Sequence, residues 1–186
     1  MTTTDMRTAR DVVSFLKAQH QEIKALFDQV QKSTGKAKEQ SFYELRRLLA
    51  VHETAEEEVV HPQARSTLAD GKDVVDARLE EENKAKKTLA RLEKLDVGSG
   101  EFAQLFEQLH RDVVAHAEAE EREEFADLEA SLDDEKLATM QRAVEFAQKT
   151  APTRPHPGVE SAVANVMAGP FASMLDRARD ALQGKG

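Results

Sequence analysis

Residues 48–62 read LLAVHETAEEEVVHP. Leu48, Leu49, His52, Glu56, Val59 and Val60 recur at helical spacing, three or four residues apart. Side chains so spaced share one face of a helix. The apolar members predict that this face is buried. His52 and Glu56 then point into the core together, as a two-ligand pincer. An unpaired ionisable group in a core costs on the order of several kcal/mol, so the pair calls for a compensating charge.

The same pattern returns in DVVAHAEAEEREEF, residues 112–125. His116 lies three residues after Val113, and Glu120 four after His116. In AQHQEIKALF, residues 18–27, His20 falls between Leu16 and Ile23 on a third apolar stripe. In VVDARLEEENKAKK, residues 74–87, Glu82 lies three after Leu79 and seven before Leu89. Alone, His20 would read as a hydrogen-bonded structural histidine. Two HxxxE pairs change that weighing. Facing pincers bring two carboxylates between two metal ions, with imidazoles capping the ends, as in dinuclear sites of helical bundles.

Around these residues the chain reads as helices. Apolar periodicity predicts four long ones, over residues 8–32, 38–61, 73–95 and 101–130, separated by Ser33-Thr34-Gly35, Pro62 with Asp70-Gly71, and Gly98-Ser99-Gly100. Short connections between similar helices predict an all-α antiparallel up-down four-helix bundle, with pseudo-symmetry between the first and third and the second and fourth helices. A fifth helix is expected over residues 134–150. It is followed by the proline-rich PTRPHPG (152–158) and a last amphipathic helix over 169–182, with Phe171, Leu175 and Leu182 on one side. The expected division is residues 1–132 as the bundle and 133–186 as a C-terminal extension that packs back on it.

Composition agrees with this reading and narrows the chemistry. Charged residues make up 33% of the 186 and aromatics 5%, which suits long soluble helices. Cysteine is absent, which excludes disulfides, zinc–thiolate sites and iron–sulfur clusters; a metal would be held by His and carboxylates. The net charge is −9, and Lys and Arg alternate with Glu, as in KAKKTLARLEK (84–94), so no nucleic-acid partner is expected. No apolar run is long enough for a membrane span. The N-terminal MTTTDMRTARD lacks a signal-peptide core. The expected location is the cytoplasm, as monomer or homodimer.

At AQHQEIKALF, LLAVHETAEEEVVHP and DVVAHAEAEEREEF the chain resembles the hemerythrin-like, or HHE cation-binding, family, over roughly residues 10–130. The resemblance implies a four-helix bundle with a non-haem di-iron centre, oxo- or hydroxo-bridged. It implies that His20 and His52 ligate one iron, that His116 and a third-helix residue ligate the other, and that Glu56 and Glu120 bridge. Oxygen-carrying members place HxxxH on the third helix. This chain has no histidine there: Glu82 takes one ligand position and Arg78 the other. Glu53 or Glu81 is a further candidate carboxylate ligand after a small helix rotation.

Three histidines and three carboxylates favour the ferric state by electrostatics and disfavour reversible oxygen carriage. The expected function is a peroxide- or oxygen-reactive di-iron protein, with catalase-like disproportionation of hydrogen peroxide its most testable form. The alternative is a non-catalytic protein that binds or senses O2, NO or iron; a metal-free structural bundle is the third reading. His61 is expected off the His52/Glu56 face by about half a turn, at a helix end where a cation favours the macrodipole. His110, His156 and Tyr43 are read as packing or surface residues.

Overall fold

The computed structural model describes residues 11–151 and 153. The described residues are all-helical, without a strand. α1 spans Val12–Lys32 and α2 Gly35–Ala55. A π-helical turn, π1, follows over Glu56–Val60 and leads into α3, His61–Thr67. α4 spans Gly71–Leu92 and α5 Gly100–Ala119. A second π-turn, π2, covers Glu120–Phe125 and leads into α6, Ala126–Ser131; α7 spans Asp134–Thr150. The expected helix over 169–182 and the proline-rich stretch, with His156, Phe171, Leu175 and Leu182, lie outside the described residues apart from Thr153.

Local chemistry sets the ends. The Asp11 carboxylate accepts from the Ser14 amide at 2.9 Å and caps α1. Ser99 does the same for α5 through the Phe102 amide at 3.1 Å, and Asp133 for α7 through the Lys136 amide at 2.8 Å. Only residues 33 and 34 separate α1 from α2.

One boundary corrects the reading from sequence. Pro62 does not end the second helix, which continues to Thr67. The hydrogen-bond ladder changes register at π1. Pro62 therefore sits in the first turn of α3, where its missing N–H costs little. The fourth helix runs through π2 into α6 and ends at Ser131, in line with the end expected near residue 130.

α1 packs against α2, α4 against α5 and α3 against α4, while α7 lies on α1, α2 and π1. The core has two apolar parts. One gathers Val12, Phe15, Leu16, Val60, Val75, Phe125, Leu128, Met140 and Val144. The other gathers Ile23, Phe27, Leu45, Leu49, Leu89, Phe102, Phe106 and Val113. Between Leu16 and Ile23 lies buried His20; between Leu49 and Val60 lie buried His52 and Glu56; between Val75 and Leu89 lies Glu82. Each chain segment thus crosses from one apolar part to the other through an ionisable residue. The core is interrupted by a polar layer.

Candidate metal centre

His20 on α1, His52 at the end of α2, Glu56 opening π1 and Glu120 opening π2 bring one ligand atom each within 4.8 Å of one another. His61, Glu82 and Glu120 form a second such group. Glu120 is common to both. Its Oε2 lies 3.3 Å from His20 Nε2 and its Oε1 3.3 Å from His116 Nε2. His52 Nε2 lies 3.2 Å from Glu56 Oε2 and 3.1 Å from His20 Nε2. His61 Nε2 lies 2.6 Å from Glu82 Oε1.

All four imidazoles present Nε2 to this layer and anchor Nδ1 outside it. His20 Nδ1–H donates to Glu121 at 2.8 Å, and His52 Nδ1–H to Gln19 Oε1 at 3.0 Å. His61 Nδ1–H donates to Glu124 at 3.0 Å, and His116 Nδ1–H to Glu81 at 2.9 Å. Outer partners of this kind fix ring orientation and tautomer in metal sites.

The carboxylates carry the complementary sign of a cation site. Both oxygens of Glu56, both of Glu120, Oε2 of Glu82 and Oε2 of Glu124 are buried and make no hydrogen bond; the same holds for His116 Nε2. Leaving such atoms buried and unsatisfied is costly, about 1–3 kcal/mol each and more for charged groups. Cations between them would satisfy most of these atoms at once, so the residues present fit a metal centre of hard oxygen and imidazole donors.

Without metal, protons balance the charge. Burial pulls His61 down, but the charges of Glu82 and Glu124 outweigh it and hold the imidazole well above its ordinary range. His116 is raised in the same way by Glu120, against its burial. Burial pulls His20 down as well, but the Glu120 and Glu121 carboxylates beside its two nitrogens raise it. Glu82 and Glu120 are the other half of these pairs. Burial would raise them, but their histidines bring Glu82 down to about 2 and Glu120 well below the carboxylate range. Burial and the neighbouring His20 charge push His52 down to about 3, so it stays neutral and its Nε2 accepts a hydrogen bond from His20 Nε2–H. Burial and the Glu120 charge push Glu56 well up.

The structure brings His20, His52, Glu56, Glu82, His116 and Glu120 to one layer. Two candidates from the sequence fall outside it. Glu81 is partly exposed and accepts from His116 Nδ1, and Arg78 Nη2 braces it at 3.3 Å. Glu53 is buried but presents no oxygen to either ligand group; burial raises its carboxyl to about 8 against the nearby Lys86 charge. Lys86, itself buried, pairs with Glu57 and lies 3.8 Å from Glu82.

His61 corrects the reading from sequence. It lies beside Glu82, not half a turn away, because π1 inserts one residue into the turn between Glu56 and His61. A uniform α-phase was the wrong ruler there. The signal was present in the spacing: His52, Glu56 and His61 follow one another at four and five residues, where five is the π-helical repeat. Gln19 and Glu124 also went unread as outer partners. His110 stacks on Phe27 at 4.6 Å between centroids, and Tyr43 lies under the Arg46 guanidinium at 4.9 Å.

Beside the layer is a small cavity of about 10 Å³, lined by Ile23, Leu49, Val113, Val114 and Ala117 with His20, His52, His116 and Glu53. That is room for about one water-sized molecule. No helix among the described residues is long and apolar enough to cross a membrane.

Among curated proteins, the chain is similar to a DNA nickase of Nostoc sp. (strain PCC 7120 / SAG 25.82 / UTEX 2576), 28% identical over 137 residues. The match takes in 73% of this chain and 38% of that protein, so the chain spans well under half the length of this relative. No solved structure matches. The family model of the hemerythrin HHE cation-binding domain matches residues 11–150. With three-quarters of its length matched by that model, and a buried His/Glu layer able to hold cations, the chain belongs to the hemerythrin HHE cation-binding domain family.

Proposed function

We propose that the layer holds two non-haem iron ions and that the protein reacts with hydrogen peroxide or oxygen. In this reading His20 and His52 serve one ion, and His61, His116 and Glu82 the other. Glu56 and Glu120 are shared. The segments that carry them, α1, α2 running on through π1 into α3, α4, and α5 running on through π2 into α6, form an antiparallel up-down bundle, the described part of the 1–132 unit. Residues 133–186 are an extension whose first helix closes one side. The observation that supports this most directly is the orientation of four imidazoles, Nε2 inward and Nδ1 anchored, around carboxylate oxygens without hydrogen bonds.

Bound iron would supply electron exchange with a small oxidant. The chain supplies the rest. The two apolar core parts on either side keep bulk water out of the layer. The cavity at His20, His52 and His116 admits only small molecules. The Glu53 carboxyl, raised by burial in the metal-free protein, stands at the cavity wall beside His52. Catalase-like disproportionation is the form to test. Iron-loaded protein should evolve O2 from hydrogen peroxide above free-iron controls; no evolution by protein carrying two irons would sink the activity.

A second reading is reversible binding or sensing of O2 or NO. His61 adds a fourth imidazole, so the donor set is more neutral than the sequence suggested. It predicts an oxygenated spectrum that reverses on removing O2, without turnover. The nickase name of the Nostoc protein is not carried over. A net charge of −9 opposes the phosphate backbone, and most of that relative lies outside the match.

A further inference from the structure

α1, α2 and α7 leave an open groove of about 620 Å³ where they meet. Its apolar lining is Leu26 on α1 with Leu48 and Val51 on α2, all half-buried. Leu26 and Leu48 pack inward on the apolar core part that holds Phe27 and Leu45. Their outer sides face the groove, where water covers apolar surface at a cost. Three glutamates, Glu22, Glu44 and Glu145, stand on the rim against two basic side chains. The chain itself leads out of this groove. Thr153, buried, is part of the wall, and residues 154–186 continue from there.

The sequence beyond Thr153 supplies a matching face. Phe171, Met174, Leu175, Ala178 and Leu182 recur at the three- and four-residue spacing with which an amphipathic helix lays its apolar side into a groove. At that spacing Arg177 and Arg179 fall nearer to the apolar stripe, one on either side, than Asp176 and Asp180 do. The two arginines are therefore placed for a glutamate rim. Residues 171 to 178 of a helix would rise about 10 Å, the same as α2 between Glu44 and Val51 along the groove. Seventeen residues join Thr153 to Phe171, enough chain to turn back on itself. A segment tethered so close is present at an effective concentration on the order of millimolar, which a separate partner would have to exceed.

We infer that the groove between α1, α2 and α7 is an intramolecular docking site whose occupant is the segment Phe171–Leu182 of the same chain. Phe171 and Leu175 lie against Leu26, Leu48 and Val51, and Arg177 and Arg179 meet the glutamates of the rim. The extension thereby closes over Val51, the neighbour of His52 in the chain.

The test uses the full chain, metal-free and 15N-labelled. The protein has no cysteine, so Ser173→Cys gives a single attachment point for a nitroxide, on the side of the segment away from the stripe. The label should broaden the backbone amide signals of Leu26, Leu48 and Lys149, with the reduced nitroxide as reference. It should leave those of Lys87 and Gln108, on the α4–α5 face, sharp. Adding Phe171→Asp and Leu175→Asp, two changes outside the helical bundle, should restore the groove signals. Groove signals that stay sharp with the label present overturn the inference. So does broadening that survives the two aspartates, which would mean that another part of the extension seats there. Broadening of unlabelled-nitroxide 15N chains on mixing with nitroxide-bearing chains would give the groove to a second copy and overturn it as well.

Discussion

His61 donates its backbone N–H to the carbonyl of Glu56, five residues back. This one wide turn sets the His61 imidazole 2.6 Å from Glu82, in the same layer as Glu56. An α-turn would place residue 61 about 140° round the helix from residue 56, facing away. π2 repeats the device after the second HxxxE. There Glu124, four residues after Glu120, turns back to the Nδ1 of His61. Single π-turns inside α-helices are commonly found at functional sites, and here each one opens with a glutamate of the layer.

Deleting Glu58, a half-buried residue within π1, should return the segment to a continuous α-helix in which His61 follows Glu56 by four residues and stays on its face. Under the di-iron reading, metal content should stay at about two per chain, with helicity retained. Metal analysis beside a far-ultraviolet spectrum checks it. Loss of one iron from a folded deletion variant would mean that the wide turn itself, and not only the face it gives His61, is needed at the centre.

The two ligand groups should also be separable by substitution. His61→Ala removes a donor from the Glu82 side, and His52→Ala from the His20 side. Each should leave one tighter and one weaker ion, with the weaker on opposite sides in the two variants. Stepwise chelation followed optically would resolve this. Identical loss of both ions in both variants would mean that the shared Glu120 couples them completely. Metal content unaffected by either change would favour a structural bundle.

Much of this layer was legible before the structure. His20, His52, Glu56, Glu82, His116 and Glu120 each break an apolar stripe, and a period of 3.6 suffices to see that. Where the helix keeps that period, phase predicts place. His61 escaped because phase is lost across a π-turn, and Glu81 was read as a spare ligand because sequence does not show which shell a carboxylate reaches. Arg78 marked a real gap on α4. The neighbouring segment brings His61 beside Glu82 instead, a relationship across helices that no stripe records. Gln19 was invisible for the same reason: it meets the His52 ring on another helix, 33 residues away.

Glu81 offers a test of the outer shell with little risk to the fold. It is partly exposed and accepts from His116 Nδ1 at 2.9 Å. Glu81→Ala should lower metal affinity by about tenfold. Glu81→Gln keeps an acceptor and should lose less. The metal-free Glu81→Ala protein should be modestly less stable than wild type, by about 1 kcal/mol, because the His116 Nδ1–H loses its acceptor. Equal affinity for Glu81→Ala and wild type would confine the glutamate to pairing with Arg78.

Metal-free protein should become less stable from about pH 6.5 to pH 8. His20, His61 and His116 have folded pKa values above the ordinary 6.5. Their stabilisation is complete below the unfolded value and is lost as pH rises through the folded one. Glu53 and Glu57 are raised to about 8, first by burial, so folding disfavours their ionisation increasingly from about 4.5 up to 8. Two of the opposing groups, Glu82, near 2, and Glu120, are already ionised in both states. His52, near 3 when folded, is half protonated in the unfolded chain at pH 6.5 and returns a small part of the stability as that proton is lost, far less than the three histidines and two glutamates remove. Bound cations take over from the protons at the histidines, and because they must displace those protons, affinity should rise over the same range. Melting temperatures of chelator-treated and iron-loaded protein at pH 6.5 and pH 8 check both statements. The metal-free value should fall, and the gap between the two forms should widen. A metal-free protein that gains stability over this interval would mean that the imidazolium–carboxylate pairs of the layer do not form in solution.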